Sequence, residues 1–209
     1  MLNIYGFQSF NTLKVLLTAE ELGLQYQYHG LNPMKGEHKT PEHFKRHPLG
    51  KTPAIEHDGR PLFESNTICR YLASFQNSPL YPSAPAQAWE RAQIDQWVDY
   101  VTQHPGRWIG TYFFQEVVAK MIGEQTDTKA VKEAQEFLDQ QLPVLEKQLD
   151  LSKYLAGSTA TIADTVAFSY LTVSEITAFE FSKYPNLTRW YGEFKNRPSY
   201  ARAMKHFGK

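Results

Sequence analysis

Glu64, Ser65 and Asn66 are the residues whose types and spacing best suit the binding of a ligand. They stand just before a periodic apolar run, and they follow a strand, a tight Asp58-Gly59 turn and a second strand. Ser65 is a preferred helix cap, so the run predicts a helix that begins at this serine. The first N–H groups of such a helix are free to bind an anion. The segment therefore predicts a site for a small anionic ligand, such as a peptide with a free carboxylate.

Other chemically capable residues have simple structural interpretations. Ser9 and Asn11 stand where the first helix is predicted to begin, and both are preferred N-cap residues. His43 and His47 have a spacing that zinc-binding histidines use, but no nearby cysteine or matched carboxylate completes a ligand set, so we expect no metal site. Cys69 lies inside a predicted helix and is interpreted as a core residue.

A cluster of prolines between residues 79 and 85 marks a linker, because proline interrupts both helices and sheets. The first domain is then residues 1–76, the linker 77–86 and the second domain 87–209. Before the linker, the apolar patterns predict the order βαβαββα. This order indicates a small mixed sheet with helices packed on it.

The second domain has helical patterns throughout, and the predicted fold class is α/β followed by all-α. Trp89, Trp97 and Val101 are spaced by multiples of four and predict the buried face of its first helix. A capping-box pattern predicts a further helix over residues 161–178.

Charge and composition exclude several classes of function. The 209 residues include 22 Lys and Arg and 22 Asp and Glu, so the chain has no overall basic field for nucleic acid or an anionic membrane. The single cysteine cannot form an intrachain disulfide, and residues 1–11 lack the pattern of a secretion signal. No segment reaches the apolar length of a membrane span. We therefore expect a cytoplasmic protein without nucleic-acid or membrane partners.

Five segments, in order along the chain, resemble the cytosolic glutathione transferases. They are Gly36-Glu37-His38-Lys39, Thr52-Pro53-Ala54, Phe63-Glu64-Ser65, Tyr154-Leu155-Ala156-Gly157 with Thr161 and Asp164, and Pro185-Asn186-Leu187 with Trp190, Arg197 and Pro198. The resemblance covers essentially the whole chain. It implies a thioredoxin-like N-terminal domain and an all-helical C-terminal domain, with glutathione as co-substrate and no metal or bound cofactor.

The resemblance implies a glutathione site in the first domain. Pro53 corresponds to a cis-proline that presents the Thr52 backbone to the cysteinyl unit of glutathione. Glu64 and Ser65 correspond to the pair that holds the γ-glutamyl end. The residues implied at the glycyl end are His38, Lys39 and Lys51. Residues 35–51 contain five Lys or Arg against two Glu, a local net charge of +3 that suits an anionic ligand.

The implied catalytic group is a hydrogen-bond donor to the glutathione sulfur near the start of the first helix. Ser9 falls where serine-type classes such as phi and theta have their serine. Asn11 with Lys14 resembles the Asn-x-x-Lys of the nu class and of a related fungal nitrogen regulator. Tyr5 is the alternative donor, by analogy with tyrosine-using classes. The electrophile pocket implied by the resemblance is lined by Phe7, Phe10, Trp108 and Tyr112.

The resemblance implies, first, a glutathione S-transferase of the detoxification type, which ionises bound glutathione and conjugates its thiolate to a small hydrophobic electrophile. Asn11 suggests a glutathione-dependent disulfide reductase or peroxidase as an alternative. A third possibility is a non-catalytic binding module with the same fold. A homodimer is implied in each case, with the first domain of one subunit against the helices of the other.

Overall fold

Four short strands form one mixed sheet in the computed structural model, which describes residues 1–75 and 78–207. The strands are β1 (Leu2–Gly6), β2 (Tyr26–Gly30), β3 (Ala54–His57) and β4 (Arg60–Phe63). Their spatial order is β2-β1-β3-β4. β2 runs parallel to β1, whereas β3 is antiparallel to β1 and β4 is antiparallel to β3. The parallel β1–β2 pair requires a crossover, which the first helix supplies.

The helices follow in chain order. They are α1 (Phe10–Glu21), α2 (Pro41–Phe44), α3 (Ser65–Phe75), α4 (Ala88–Gln103), α5 (Pro105–Phe113), α6 (Ala119–Met121), α7 (Thr128–Leu151), α8 (Ile162–Leu171), α9 (Pro185–Lys195) and α10 (Pro198–Met204). A π-helical segment, Phe114–Val118, lies between α5 and α6.

Helix α1 is buried on every side. All residues from Thr12 to Ala19 are buried, including the charged Lys14. The helix packs against α3 and α10. A helix buried all round has no solvent-facing stripe, so its polar side chains must find partners inside the protein.

The β3–β4 hairpin leads directly into helix α3. Asp58 and Gly59 form its turn, with φ angles of 50° and 76°. Two successive left-handed residues are typical of a type I′ turn, which matches the twist of paired strands. The hairpin therefore delivers Glu64 and Ser65 to the edge of the sheet at the start of α3.

The helical part of the chain is organised by α7 and α8. Helix α7 packs against α5 and buries a stripe of leucines at helical spacing, which comprises Leu138, Leu142, Leu145 and Leu149. Helix α8 packs against α4 and is buried along its whole length. Among the described helices, none combines the length and the apolarity needed to cross a membrane.

The chain divides into two compact units, Met1–Ala84 together with Lys195–Lys209, and Pro85–Phe194. The division after Ala84 falls within the segment predicted as a linker. The predicted boundary between residues 76 and 77 lies outside the described residues.

The C-terminal residues belong with the sheet, although the sequence-based division assigns them to the helical domain. The Arg197 guanidinium donates to the Glu21 carboxylate at 2.8 Å, and Arg202 donates to Glu20 at 2.5 Å. These pairs attach the segment that contains α10 to the end of α1. A sequence pattern does not reveal such a return of the chain, because the paired residues are about 180 positions apart.

The predicted fold class is confirmed, since a sheet with packed helices precedes an all-helical part. Two predictions about single helices are wrong in part. Val101 is buried as expected on α4, but its buried neighbours are Ile94 and Val98, whereas Trp97 is half-buried and Trp89 is 72% exposed. The helix predicted over residues 161–178 ends earlier, because α8 gives way to a 3-10 turn.

Candidate active site

The first turns of α1 and α3 lie side by side. The Ser65 hydroxyl donates a hydrogen bond to Asn11 Oδ1 at 3.4 Å, and the Lys14 ammonium donates to Asn66 Oδ1 at 3.2 Å. Both helices begin here, so their positive dipole ends converge. Such a convergence attracts an anionic group.

Ser9 is the N-cap of α1. The Ser9 hydroxyl oxygen accepts a hydrogen bond from the Thr12 backbone N–H at 3.2 Å. The same hydroxyl donates its proton to Thr12 Oγ1, also at 3.2 Å. Gly6 allows Thr12 to approach, because a Cβ at Gly6 would lie 2.6 Å from the threonine methyl group. The half-buried Ser9 side chain is thus held at the first turn of α1, where capping and ligand contact are both open to it.

Glu64 has an unusual backbone conformation. Its φ angle is 71°, in the left-handed region that side chains with a Cβ rarely adopt. Strain of this kind persists where the surrounding structure imposes it, and it is often found at ligand sites. The conformation places the exposed Glu64 immediately before the first turn of α3.

The segment before β3 is held by a buried histidine. His43 Nε2 donates to the Lys51 carbonyl oxygen at 2.8 Å, next to the Thr52–Pro53 peptide bond, which is cis. Thr52 Oγ1 is buried and has no hydrogen-bond partner within the described chain. A bound ligand with polar groups would supply the kind of partner that this atom lacks.

The predicted basic rim lies on the adjoining loop. The Lys39 ammonium donates to the Leu49 carbonyl oxygen at 2.9 Å, while Lys51 is exposed. Burial, with the nearby Lys39 and His43 charges, lowers the pKa of His38 below its usual value. Its Nδ1 atom is also buried without a partner among residues 1–75 and 78–207.

The two predicted pocket residues of the first unit lie near this site. The Phe7 ring makes an edge contact with the His38 ring, with 6.1 Å between centroids. The Phe10 ring centroid lies 6.0 Å from the Lys14 ammonium. Both rings are partly accessible.

Trp108 and Tyr112 lie on α5 in the helical unit. The Trp108 ring stacks on Phe137 at 4.2 Å and is half-buried. Tyr112 is only 4% exposed, and its hydroxyl donates to Gln135 Oε1 at 2.8 Å. The surroundings of Tyr112 are those of a core residue, so its contact with an electrophile stays a prediction.

Tyr5, the alternative donor, lies in a stack of its own. The centroids of the Tyr5 and His29 rings are 4.5 Å apart. The Arg46 guanidinium carbon lies 4.0 Å from the centroid of the Tyr5 ring. These partners favour the packing role for Tyr5.

The remaining candidates for a nucleophile or a metal ligand, Cys69, His43 and His47, lie in the interior. Cys69 is fully buried, and burial raises the pKa of its thiol to about 11. His43 and His47 are both buried. Over the part of the chain that the structure describes, no group of three or more His, Cys, Asp or Glu side chains is arranged to hold a metal ion.

The hydrogen bond between Lys14 and Asn66 is not predicted, although both residues belong to segments that the sequence analysis singles out. The signal in the sequence is a lysine flanked by Leu13, Val15 and Leu16. Lysine is seldom fully buried without a partner, so its place in an apolar run indicates a paired charge.

Comparison with known proteins gives a consistent result. The family descriptions "Glutathione S-transferase, N-terminal domain" and "Glutathione S-transferase, C-terminal domain" match residues 2–74 and 109–198. Glutathione S-transferase 1 of Zea mays is 31% identical to this chain, and the matched region covers 95% of this chain and 93% of the maize protein. A solved structure of glutathione S-transferase-I bound with lactoylglutathione superimposes with a TM-score of 0.88 at 31% identity, covering 98% of each chain.

One similar protein is not named as a transferase. Elongation factor 1-gamma 1 of Oryza sativa subsp. japonica is 32% identical to this chain, and the matched region covers 93% of this chain but only 46% of the elongation factor. The fold is therefore shared with proteins that are not named as transferases. The two family descriptions nevertheless cover most of the residues, from the first strand to the start of α10. The chain belongs to the glutathione S-transferase family.

Proposed function

We propose that this chain is a glutathione S-transferase that ionises bound glutathione and transfers its thiolate to a small hydrophobic electrophile. The observation that carries the proposal is the joining of the α1 and α3 starts by the Ser65–Asn11 hydrogen bond. It brings an anion-binding helix start next to the helix that Ser9 caps.

Glutathione is expected to bind along the first unit in an extended form. Ser65 turns its hydroxyl proton from Asn11 Oδ1 to the γ-glutamyl carboxylate, which also faces the first-turn N–H groups of α3, while Glu64 pairs with the ammonium group. The Thr52 backbone pairs with the cysteinyl unit in the manner of an added strand. The glycyl carboxylate then faces His38, Lys39 and Lys51. His38 Nδ1 and Thr52 Oγ1, which have no hydrogen-bond partner among the described residues, support a polar ligand here.

Ser9 stabilises the thiolate by donating its hydroxyl proton to the sulfur. A free cysteine thiol has a pKa of about 8.5, so roughly 3% is ionised at pH 7. Lowering this pKa by about two units requires about 2.7 kcal/mol, which a hydrogen bond to a charged sulfur and the positive end of α1 supply together. The thiol proton passes to solvent.

The thiolate lone pair then forms a carbon–sulfur bond with the electrophile, and the leaving group departs with the electrons of the bond that breaks. The protein contributes proximity, because both reactants are held together. On the first unit, Phe7 and Phe10 supply the proposed apolar contact. The roles predicted for Trp108 and Tyr112 on the helical unit stay predictions, and the burial of Tyr112 weakens its case.

The alternative disulfide reduction is favoured by Asn11. Its side-chain oxygen accepts from Ser65, which leaves the amide nitrogen as the donor toward a thiolate leaving group. Cys69 is buried and protonated, so glutathione itself would have to supply the attacking thiolate.

Initial rates with purified protein separate these functions. We expect glutathione-dependent conjugation of an aryl halide such as 1-chloro-2,4-dinitrobenzene to exceed reduction of hydroxyethyl disulfide. Dominant disulfide turnover would favour the reductase. Tight glutathione binding with neither reaction, over a range of electrophiles, would favour the non-catalytic module.

The assembly and location complete the proposal. We propose a cytoplasmic homodimer, on the strength of membership in the family of cytosolic transferases. Light scattering is expected to give about twice the 24.1 kDa mass of one chain, and a mass of one chain would contradict the dimer.

A further inference from the structure

Lys14 is the most completely buried charged side chain near the proposed glutathione site. It is 0% exposed, at the centre of the apolar stretch of α1. Burial of an ammonium group is unfavourable unless hydrogen bonds and opposite charge compensate it. A leucine or methionine would fill the same volume without that cost, so the charge itself calls for an explanation.

The compensating groups come from the start of α3. The Lys14 ammonium donates to Asn66 Oδ1 at 3.2 Å, and the negative charge of Glu64 favours its protonated form. The Cys69 thiol donates to the Lys14 carbonyl oxygen at 3.5 Å. Asn66 directly follows Ser65, the residue proposed to receive the γ-glutamyl carboxylate.

Other charged groups lie on the elements that pack against α1. The charges of Lys14 and of Arg70, which lies on α3, both act on the buried Cys69 thiol. On the C-terminal segment, Arg197 and Arg202 pair with Glu21 and Glu20 at the last turn of α1. Cys69 and Glu64 are the groups that act on the Lys14 ammonium in the direction opposite to burial.

We propose that Lys14 is a positioning residue for glutathione, whose buried ammonium fixes Asn66 at the start of α3 and places a positive charge behind the γ-glutamyl carboxylate. This inference rests on the proposed function. It assigns Lys14 no contact with the reacting sulfur. Loss of the charge is therefore expected to weaken binding of glutathione more than turnover of the bound complex.

A pH dependence follows from the same arrangement. Burial lowers the pKa of Lys14 to about 8, although Cys69 and Glu64 act in the opposite direction. A carboxylate bound nearby favours the ammonium form and raises this pKa. Binding therefore takes up a proton near pH 8, and affinity falls as the pH rises through the pKa of the free protein.

The test uses S-methylglutathione, which has no thiol to titrate, and measures its Kd by calorimetry from about pH 6.5 to 9.5. Lys14→Met is expected to raise Kd about tenfold near pH 7, with the ratio to wild type shrinking toward one above pH 9. Lys14→Arg keeps a charge that does not titrate, so it is expected to retain affinity near pH 7 and to lose the pH step caused by Lys14, leaving only the step of the ligand's amino group. Lys120→Met, an exposed lysine on α6, is the control for loss of a charge and is expected to leave Kd unchanged.

Two outcomes overturn the proposal. One is a folded Lys14→Met variant with the wild-type Kd and pH profile. The other, which needs no variant, is wild-type binding near pH 8 without net proton uptake in buffers of different ionisation enthalpy. If the wild type does not bind S-methylglutathione at all, the proposed function fails, and this result is distinct from binding that is insensitive to Lys14.

Discussion

Ser9 shows how one hydroxyl can serve the fold and the chemistry. As the N-cap of α1 it accepts from the Thr12 N–H, while its proton lies toward Thr12 Oγ1. A sulfur placed at the start of α1 would compete for that proton without breaking the cap, because capping uses the oxygen as acceptor and catalysis uses the proton. The two interpretations of Ser9 are therefore compatible.

Ser65 and Ser9 should separate binding from chemistry. Ser65→Ala removes a donor to the γ-glutamyl carboxylate, so we expect KM for glutathione to rise about tenfold with little change in kcat.

Ser9→Gly removes the hydroxyl but costs the cap only a few tenths of a kcal/mol, so kcat is expected to fall about 100-fold with KM nearly unchanged. Steady-state kinetics with the opposite pattern would reverse the two roles.

Gly50 should be essential for the loop that carries the basic rim. Its φ is 56°, and a Cβ would lie 2.7 Å from the His38 carbonyl oxygen. Gly50→Ala is therefore expected to displace His38 and weaken glutathione affinity at least several-fold, as well as reducing stability by about 1–3 kcal/mol. Gly123→Ala is the matched control, because Gly123 has a φ of 80° with no atom within 4 Å of the added Cβ. Equal glutathione affinities for the two variants would show that the close approach at Gly50 does not matter.

At the scale of helices and strands, sequence patterns predict the elements that have regular alternation or helical spacing. They do not predict the burial of single residues that depart from the pattern. Alternation and helical spacing predict the βαβαββα order, and Ser65 marks the start of α3. The prediction for α4 fails at Trp89 because a repeated spacing of four residues drifts around a helix by about 40° each time, whereas Ile94, Val98 and Val101 form the continuous stripe. The sequence pattern does not predict the burial of Lys14, because a helix buried on every side leaves no polar face by which to place a lysine.

The positions of the candidate site follow from different kinds of information. The proposed anion site before α3 follows from helix capping alone, since a serine at a helix start predicts N–H groups that can bind an anion. The roles of His38, Lys51 and Ser9 come from resemblance to the family. Hydrogen bonds such as Lys14 to Asn66 join residues 52 positions apart, and no local pattern encodes them.

Helix α8 depends on one buried carboxylate. Asp164 Oδ1 accepts from the Leu155 N–H at 3.0 Å and from the Trp190 indole N–H at 3.1 Å, and Oδ2 accepts from the Thr161 N–H at 2.9 Å. We expect Asp164→Ala to reduce the free energy of unfolding by about 3–5 kcal/mol near pH 7. Asp164→Asn is expected to cost less, because its amide oxygen can keep the two bonds made by Oδ1.

The pH dependence gives a second check on Asp164. Burial outweighs its hydrogen bonds and raises its pKa to about 6. The folded state then binds more protons than the unfolded state between about pH 4 and 6, so this group contributes stability that is lost as pH rises through 6. Relative to Asp164→Asn, wild-type protein should gain stability as the pH falls from 7 to 5, by chemical unfolding. A constant difference across this range would contradict the assignment.

At the scale of the whole molecule, the C-terminal segment returns to the first helix and pairs with it. Arg197 donates to the Glu21 carboxylate, which Ser199 also contacts, and Glu21 is largely buried. The return of this segment fixes the last turn of α1, the helix whose first turn carries Ser9 and Asn11. The opposite ends of α1 are thus anchored by separate polar networks.

Loss of Arg197 should destabilise the first unit in a pH-dependent way. Burial raises the pKa of Glu21, but the hydrogen bonds from Arg197 and Ser199 and the charges of Arg197 and Arg202 hold it below its ordinary value. The pair contributes stability above the unfolded pKa of about 4.3, and this stability is lost as the pH falls through the folded pKa. We expect Arg197→Ala to cost about 2 kcal/mol near pH 7 and less below pH 4. Arg60→Ala, an exposed arginine, is the control in the unfolding experiment, and an equal cost for both variants would contradict the account.

The central claim is that Ser9 lowers the pKa of the glutathione thiol, and a pH titration of the ultraviolet thiolate absorbance of bound glutathione tests it most directly. In wild-type protein, the thiol pKa is predicted to lie about two units below the free value of about 8.5. In Ser9→Gly, which largely retains the cap, it is predicted to return toward the free value. An unshifted pKa in wild-type protein, or an equally lowered pKa in both proteins, would contradict the account.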